Sequence, residues 1–135
     1  MNTLRILLAD DHERFRAILS RFLSSQKGVE IVGEASDGIE AVEKTEKLRP
    51  NLVFMDLHMP SCDGIEATRT IKQHWPLVKV FMLSLDSTEY YPASLTMADG
   101  FLAKQEMKHD VLAVLSRECM FRISPKNDGA QDTGR

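Results

Sequence analysis

Residues Leu4 to Leu23 read LRILLADDHERFRAILSRFL, and this stretch decides the fold. Leu4–Ala9 is an apolar run of strand length, broken only by Arg5. Two aspartates follow. Phe15, Ile18, Leu19, Phe22 and Leu23 then fall at i, i+3, i+4, i+7 and i+8, the spacing of one helix face. The same alternation continues outward. Gly28 stops the first helix, and Val29–Ala35 is a second strand. The turn Ser36-Asp37-Gly38 opens a second helix with Ala41, Val42 and Leu48 inward, and Pro50 ends it. Leu52–Met55 is a short, wholly apolar third strand, and the loop Leu57–Asp63 leads to a helix from about Gly64 to His74 with Ile65, Thr68 and Ile71 on one side. Pro76 closes that helix, and Val78–Leu83 is the fourth strand. A further helix is expected within Ser87–Ala98, but Pro92 sits inside it. Proline in a helix interior costs ~3 kcal/mol, so this helix should begin near Pro92 or kink there. Phe101–Ala103 is a brief fifth strand. Val111, Leu112, Leu115 and Cys119 mark a last helix from about Lys108 to Arg122.

Alternating strands and helices require a parallel sheet with right-handed crossovers and helices on both faces. Strands one, three and four are apolar apart from Arg5 and Lys79 near their starts, as expected of strands covered on both sides. The expected fold is a single doubly wound, flavodoxin-like (βα)5 domain over residues 1–123. Its strand order, 2-1-3-4-5, is taken by analogy with that fold. Residues 124–135, SPKNDGAQDTGR, are polar and rich in turn formers, and read as a disordered tail or a cut linker. There is no internal repeat.

Composition narrows the function. A chain of 135 residues fits one domain. With 17 Lys and Arg against 20 Asp and Glu, nothing advertises a cationic surface, and no direct nucleic-acid binding by this chain is expected. Two cysteines make neither a disulfide framework nor a CxxC metal pair. The apolar runs are strand-sized, so no membrane span is expected. The N-terminus is too short in its apolar part, and too acidic after it, for a secretory leader. A cytoplasmic location is the default expectation.

Ligands of open parallel sheets bind beyond the carboxyl ends of the strands. At those ends stand Asp10 and Asp11, then Asp56, then Ser84, then Lys104. Two carboxylates ~4 Å apart repel by about 4 kcal/mol at an effective dielectric of ~20. Three together must raise their pKa values or hold a cation. Mg²⁺ suits the all-oxygen donors and keeps positions for phosphate oxygens, with Mn²⁺ as a substitute. Zinc is disfavoured, because no His or Cys ligands have the spacing. With the cation present the rim attracts a phosphoryl group, and Asp56 can act as nucleophile. Lys104 offers a positive charge and Ser84 a hydroxyl to the phosphoryl oxygens.

From about Leu4 to Ile123 the chain resembles a response-regulator receiver domain. The matching motifs are LLADDH, VFMDLHMPSCDG (with Asp56, Pro60 and Gly64), the strand-end Ser84, and GFLAK, with Phe101 and Lys104. The resemblance implies that Asp10 and Asp11 bind the metal, that Asp56 is phosphorylated, and that the backbone carbonyl of His58 completes the metal shell. It also implies that Ser84 and Phe101 report phosphorylation by turning inward, and that Lys104 clamps the phosphoryl group. The partners implied are a sensor histidine kinase or phosphotransfer protein, and a downstream protein or an output domain. A homodimer is left open. DDHERFR, VGEASDGIEA and GFLAK resemble receivers that carry a LuxR-type helix-turn-helix, and FRISP resembles the start of their linker.

Other readings stay open. One is a receiver-like protein-interaction module that keeps the fold but does not switch. Another is an aspartate-nucleophile phosphohydrolase, although that chemistry needs a second acid two residues on, where His58 stands. A nucleotide or flavin site fits poorly, because acids replace glycines after strand one. The chain is expected to catalyse only its own phosphorylation and slow dephosphorylation, not to act as an enzyme on an external metabolite. Neither His12 nor His58 is expected to ligate metal through its side chain, and His12 is expected on the surface at the start of helix one. Cys62 reads as an ordinary loop thiol and Cys119 as helix packing. Trp75 is expected at the end of helix three, away from the rim. Leu85, where the family usually has a small residue, is expected to crowd the phosphoryl group and slow its transfer or hydrolysis.

Overall fold

The computed structural model describes residues 3–85 and 96–127, with side chains to residue 118. Five strands form one sheet: β1 (Leu4–Ala9), β2 (Val29–Ala35), β3 (Leu52–Asp56), β4 (Lys79–Ser84) and β5 (Gly100–Ala103). All neighbouring pairs are parallel, and the order is β2-β1-β3-β4-β5. This is the doubly wound order expected by analogy with the flavodoxin-like fold. Four helices are described: α1 (Glu13–Ser24), α2 (Gly38–Leu48), α3 (Gly64–His74) and α4 (Met107–Asn127), the last preceded by a single 3₁₀ turn at Lys104–Glu106. The helix expected within Ser87–Ala98, with Pro92, falls largely on residues outside the described ones.

The pleat sorts the core into two layers. Ile6, Leu8, Leu52, Phe54, Phe81 and Leu83 face Leu19 and Leu23 of α1 and Val111, Val114 and Leu115 of α4. Their strand neighbours Leu7, Val53, Met55, Val80 and Met82 face Ala41 of α2 and Ala67 and Ile71 of α3. Successive side chains point to opposite faces, so a strand covered on both sides must be apolar along its covered length, as β3 is from Leu52 to Met55.

Two residues assigned to buried helix faces lie outside them. Ile18 is 55% exposed and Leu112 46% exposed. Periodicity fixes the direction of a helix's apolar stripe but not its width, and here Leu19 and Val111 take the inward positions. The backbone of α4 also runs to Asn127, beyond the end expected at Arg122. It passes through Pro125, whose missing N–H removes one rung of the helix ladder.

Contrary to the expectation of no internal repeat, one short segment recurs: DGIEA occurs at Asp37–Ala41 and again at Asp63–Ala67. Each copy starts a helix on the same face of the sheet. The Asp37 carboxylate accepts the Glu40 N–H at 2.7 Å, and Asp63 accepts that of Glu66 at 2.9 Å. Each satisfies one of the unpaired N–H groups at its helix start. Glu40 in turn accepts the Ser36 N–H at 2.8 Å, one residue ahead of the cap, and so ties the incoming chain to the first turn. Asp37→Ala should therefore lower stability by about 1 kcal/mol in urea denaturation. The glycine of each copy permits a close approach. A Cβ at Gly38 would lie 2.0 Å from the Cys62 carbonyl oxygen, and one at Gly64 would lie 2.1 Å from that of Asp56. The β3–α3 loop is thus held between two bare helix starts.

The opposite end of the sheet is tied by Lys72. Its ammonium donates to the Val78 and Pro76 carbonyls at 2.9 and 3.1 Å and pairs with Asp99 at 2.9 Å. The same Asp99 carboxylate accepts the Val80 N–H at 2.8 Å, so one partly buried cation joins α3, β4 and the start of β5.

Candidate functional site

Parallel strands bring their carboxyl ends to one rim, and the acids gather there. Asp10 follows β1, anchored by its N–H to the Ala35 carbonyl at 2.9 Å. Its own carbonyl accepts from the Arg16 guanidinium, which also pairs with Glu34 at 2.7 Å. Asp56 is the last residue of β3. The side chains of Asp10 and Asp56 are almost wholly buried, at 3% and 5% exposure, while Asp11 is about one-third exposed. Lys104 follows β5 and reaches across the rim. Its Nζ lies 2.9 Å from Asp10 Oδ2, 3.4 Å from Asp56 Oδ1 and 4.6 Å from the centre of the Phe15 ring.

His12 joins this group. It is the N-cap residue of α1, but its side chain makes no capping bond. Its ring turns over the rim instead, with Nδ1 3.2 Å from Asp10 Oδ1, 3.4 Å from Asp11 Oδ1 and 3.9 Å from Asp56 Oδ2. The side chain is exposed, as the sequence suggested, yet it belongs to the acidic cluster. One signal was available: a residue directly after two rim acids begins at the rim, whichever way its side chain then turns.

The electrostatics are those of an overfilled acid pocket. Burial, reinforced by the charge of Asp10, pushes the Asp56 carboxyl up to about 7, and the Lys104 ammonium offsets this only in part. Asp56 Oδ2 is buried with no hydrogen-bond partner among the described residues. An orphaned carboxylate oxygen beside two further acids fits a hard dication, which would satisfy that oxygen and offset the crowding. One ligand atom each from Asp10, Asp11, His12 and Asp56 lies within 4.8 Å of the others.

The remaining predicted residues surround this group. Ser84 ends β4 and is buried, in register with Ala103 beside Lys104. Phe101 is half-buried against the α2–α3 core layer. His58 and Pro60 are exposed in the β3–α3 loop, and Gly64 is the buried first residue of α3. Ser61 in the same loop adopts a left-handed φ of 72°. Cys62 is half-buried there; burial and the charges of Glu66 and Asp63 push its thiol up, so it stays protonated at neutral pH. Leu85 is 61% exposed and lines a surface groove with His12, Arg14, Phe15, Ile18 and Lys104. Trp75 follows α3 at the end away from Gly64, under the Arg49 guanidinium at 5.4 Å.

A doubly wound sheet with buried acids and a lysine on its carboxyl rim has the architecture of a phosphoacceptor receiver, and comparison with known proteins agrees. The family model for the response regulator receiver domain matches residues 6–116. This chain belongs to that family, the receiving part of two-component signal transduction. It is 40% identical over 111 residues to the response regulator VraR of Staphylococcus aureus, an alignment covering 81% of this chain and 53% of that protein. The chain thus spans about half the length of the curated relatives it matches. Among solved structures, the response regulator domain of Thermotoga maritima CheB superposes with a TM-score of 0.76 at 29% identity, covering 86% of this chain and 96% of that one. A LuxR-family two-component response regulator from Aurantimonas gives 0.69 at 28% identity, covering 85% and 86%. Among the described residues no helix is long and apolar enough to cross a membrane.

Proposed function

We propose that Asp56 accepts a phosphoryl group from a sensor histidine kinase or phosphotransfer protein. Asp10, Asp11, Asp56 and the backbone carbonyl of His58 would hold Mg²⁺, or Mn²⁺ in its place. The observation that supports this most is Asp56 itself: buried, with one oxygen lacking a partner and the other 3.4 Å from Lys104 Nζ. One carboxylate oxygen attacks phosphorus in line. The bond from phosphorus to the donor breaks, and its electron pair leaves with imidazole, or with acetate when acetyl phosphate is the donor. The cation, when bound, supplies charge neutralisation at the phosphoryl oxygens. Lys104 shares that work from the far side, and Ser84 supplies a hydroxyl once the acyl phosphate has formed.

The phosphorylated and unphosphorylated forms then differ in how well Ser84 and Lys104 are engaged, and the population shifts by that difference. Phe101 is the aromatic that moves with Ser84. A downstream protein or a linked output domain reads the change. The LuxR-like motifs support a DNA-binding output domain, while this chain itself makes no nucleic-acid contact. Its chemistry is confined to its own acyl phosphate, and a cytoplasmic location suits that role.

Intact-mass measurement after incubation with acetyl phosphate and Mg²⁺ tests this reading. One added phosphoryl group, absent with EDTA, is expected. No adduct, with a matched kinase also failing, would overturn it in favour of a non-switching interaction module. Leu85 stands beside His12 and Lys104 at the mouth of the site. Leu85→Ala should speed formation or hydrolysis of the adduct about threefold, a change of under about 1 kcal/mol in barrier. Unchanged rates in a stopped time course would remove the crowding argument.

A further inference from the structure

We propose that His12 closes the acidic rim into a four-ligand site for a first-row transition dication such as Zn²⁺ or Co²⁺, in competition with Mg²⁺. The inference rests on the reading that a cation sits among Asp10, Asp11 and Asp56, and it assigns the imidazole a part in deciding which one. Ligand atoms about 2.0–2.1 Å from a tetrahedral ion stand about 3.3–3.4 Å apart. The distances from His12 Nδ1 to one oxygen each of Asp10, Asp11 and Asp56 are 3.2, 3.4 and 3.9 Å, values that bracket that edge. The third of these oxygens, Asp56 Oδ2, is the buried acceptor without a hydrogen-bond partner, on a side chain only 5% exposed. It therefore points into the same space as the ring nitrogen.

The chemistry separates the two kinds of ion. Mg²⁺ takes oxygen donors in an octahedron and keeps several waters, so the imidazole adds little to its binding. Zn²⁺ and Co²⁺ bind imidazole well, and three carboxylates with one imidazole make a complete tetrahedral set. A site closed by four protein ligands has no position left for a phosphoryl oxygen. In addition, the imidazole would then cover Asp56 on the solvent side. His12 is exposed and contributes no capping bond to α1, so replacing it removes a ligand without removing a structural contact of the helix.

The test compares wild type with His12→Ala by titration calorimetry with Zn²⁺ and Mg²⁺, and by the visible spectrum of the Co²⁺ complex. Zn²⁺ affinity should fall tenfold or more in the variant while Mg²⁺ affinity stays within about twofold. The wild-type Co²⁺ complex should show an intense four-coordinate band that His12→Ala loses. The Zn²⁺ concentration that halves Mg²⁺-dependent phosphorylation should rise by the same factor. Equal Zn²⁺ affinities, or a weak six-coordinate Co²⁺ spectrum in the wild type, would overturn the proposal. The Mg²⁺ and acetyl phosphate assay is scored separately. A normal adduct with no His12 effect sinks only the transition-metal site, whereas a His12-dependent Co²⁺ band with no adduct sinks only the phosphoacceptor reading.

Discussion

Asp56→Asn should abolish the phosphoryl adduct completely and, without metal, make the fold more stable. The first effect follows because an amide lacks the anionic oxygen that attacks phosphorus. The second follows from linkage. The Asp56 carboxyl stands at about 7 in the folded protein against an ordinary value of 3.8. A carboxyl raised in the folded state binds its proton more tightly there than in the unfolded chain. The metal-free protein therefore loses stability as pH rises from about 4 to about 7, and the full penalty remains above that range. At 1.36 kcal/mol per pH unit the displacement sets a ceiling of about 4 kcal/mol. An expected gain of about 2 kcal/mol for Asp56→Asn at pH 8 in EDTA lies within that ceiling. Urea denaturation at pH 5 and pH 8 checks both sign and size: the wild type should weaken between the two, and the variant should change much less. Saturating Mg²⁺ should restore the wild type by about 3 kcal/mol at a hundredfold excess over its dissociation constant. A variant no more stable than wild type in EDTA at pH 8 would refute the overfilled-pocket account.

Gly64→Ala should cost about 3 kcal/mol of stability and slow phosphorylation about a hundredfold. The added methyl would meet the Asp56 carbonyl oxygen at 2.1 Å and the Leu57 Cα at 3.0 Å, both backbone atoms that cannot turn aside. Relief requires α3 to back away from the end of β3, or the Asp56 backbone to shift. Either displaces the carboxylate from Lys104 and from the other acids, and misplacement of about 1 Å is enough for a rate loss of that size. Urea midpoints and the acetyl phosphate time course read the two effects independently. An unchanged midpoint would show that the close approach carries no energetic weight.

The sequence was informative where one physical rule dominates. Leu52–Met55 could only be a strand covered on both faces, and a parallel sheet sends the residue after it to the ligand-binding rim, so Asp56 could be read by position alone. Lys104 was legible for the same reason, directly after the buried end of β5. What failed depended on details that residue type does not encode. Ile18 and Leu112 have the right period but lie at the margins of their stripes. The direction of His12 is set by its extended backbone, φ −85° and ψ 96°, at the start of α1, and no spacing rule supplies that turn. The paired DGIEA segments are visible in the sequence, but their purpose lies in three-dimensional packing: the 2.0 and 2.1 Å approaches at Gly38 and Gly64 are what require side-chain-free residues there.

Lys72 gives the sheet an unequal mechanical character. Its ammonium fastens the amino ends of β4 and β5 to the tail of α3 through two carbonyls and Asp99. A rearrangement that begins at the rim is then expected to swing like a door on that post, with amplitude growing toward the carboxyl edge where Ser84 and Lys104 stand. Loosening the post should let the motion leak into the base of the domain, blunting whatever message the rim sends outward.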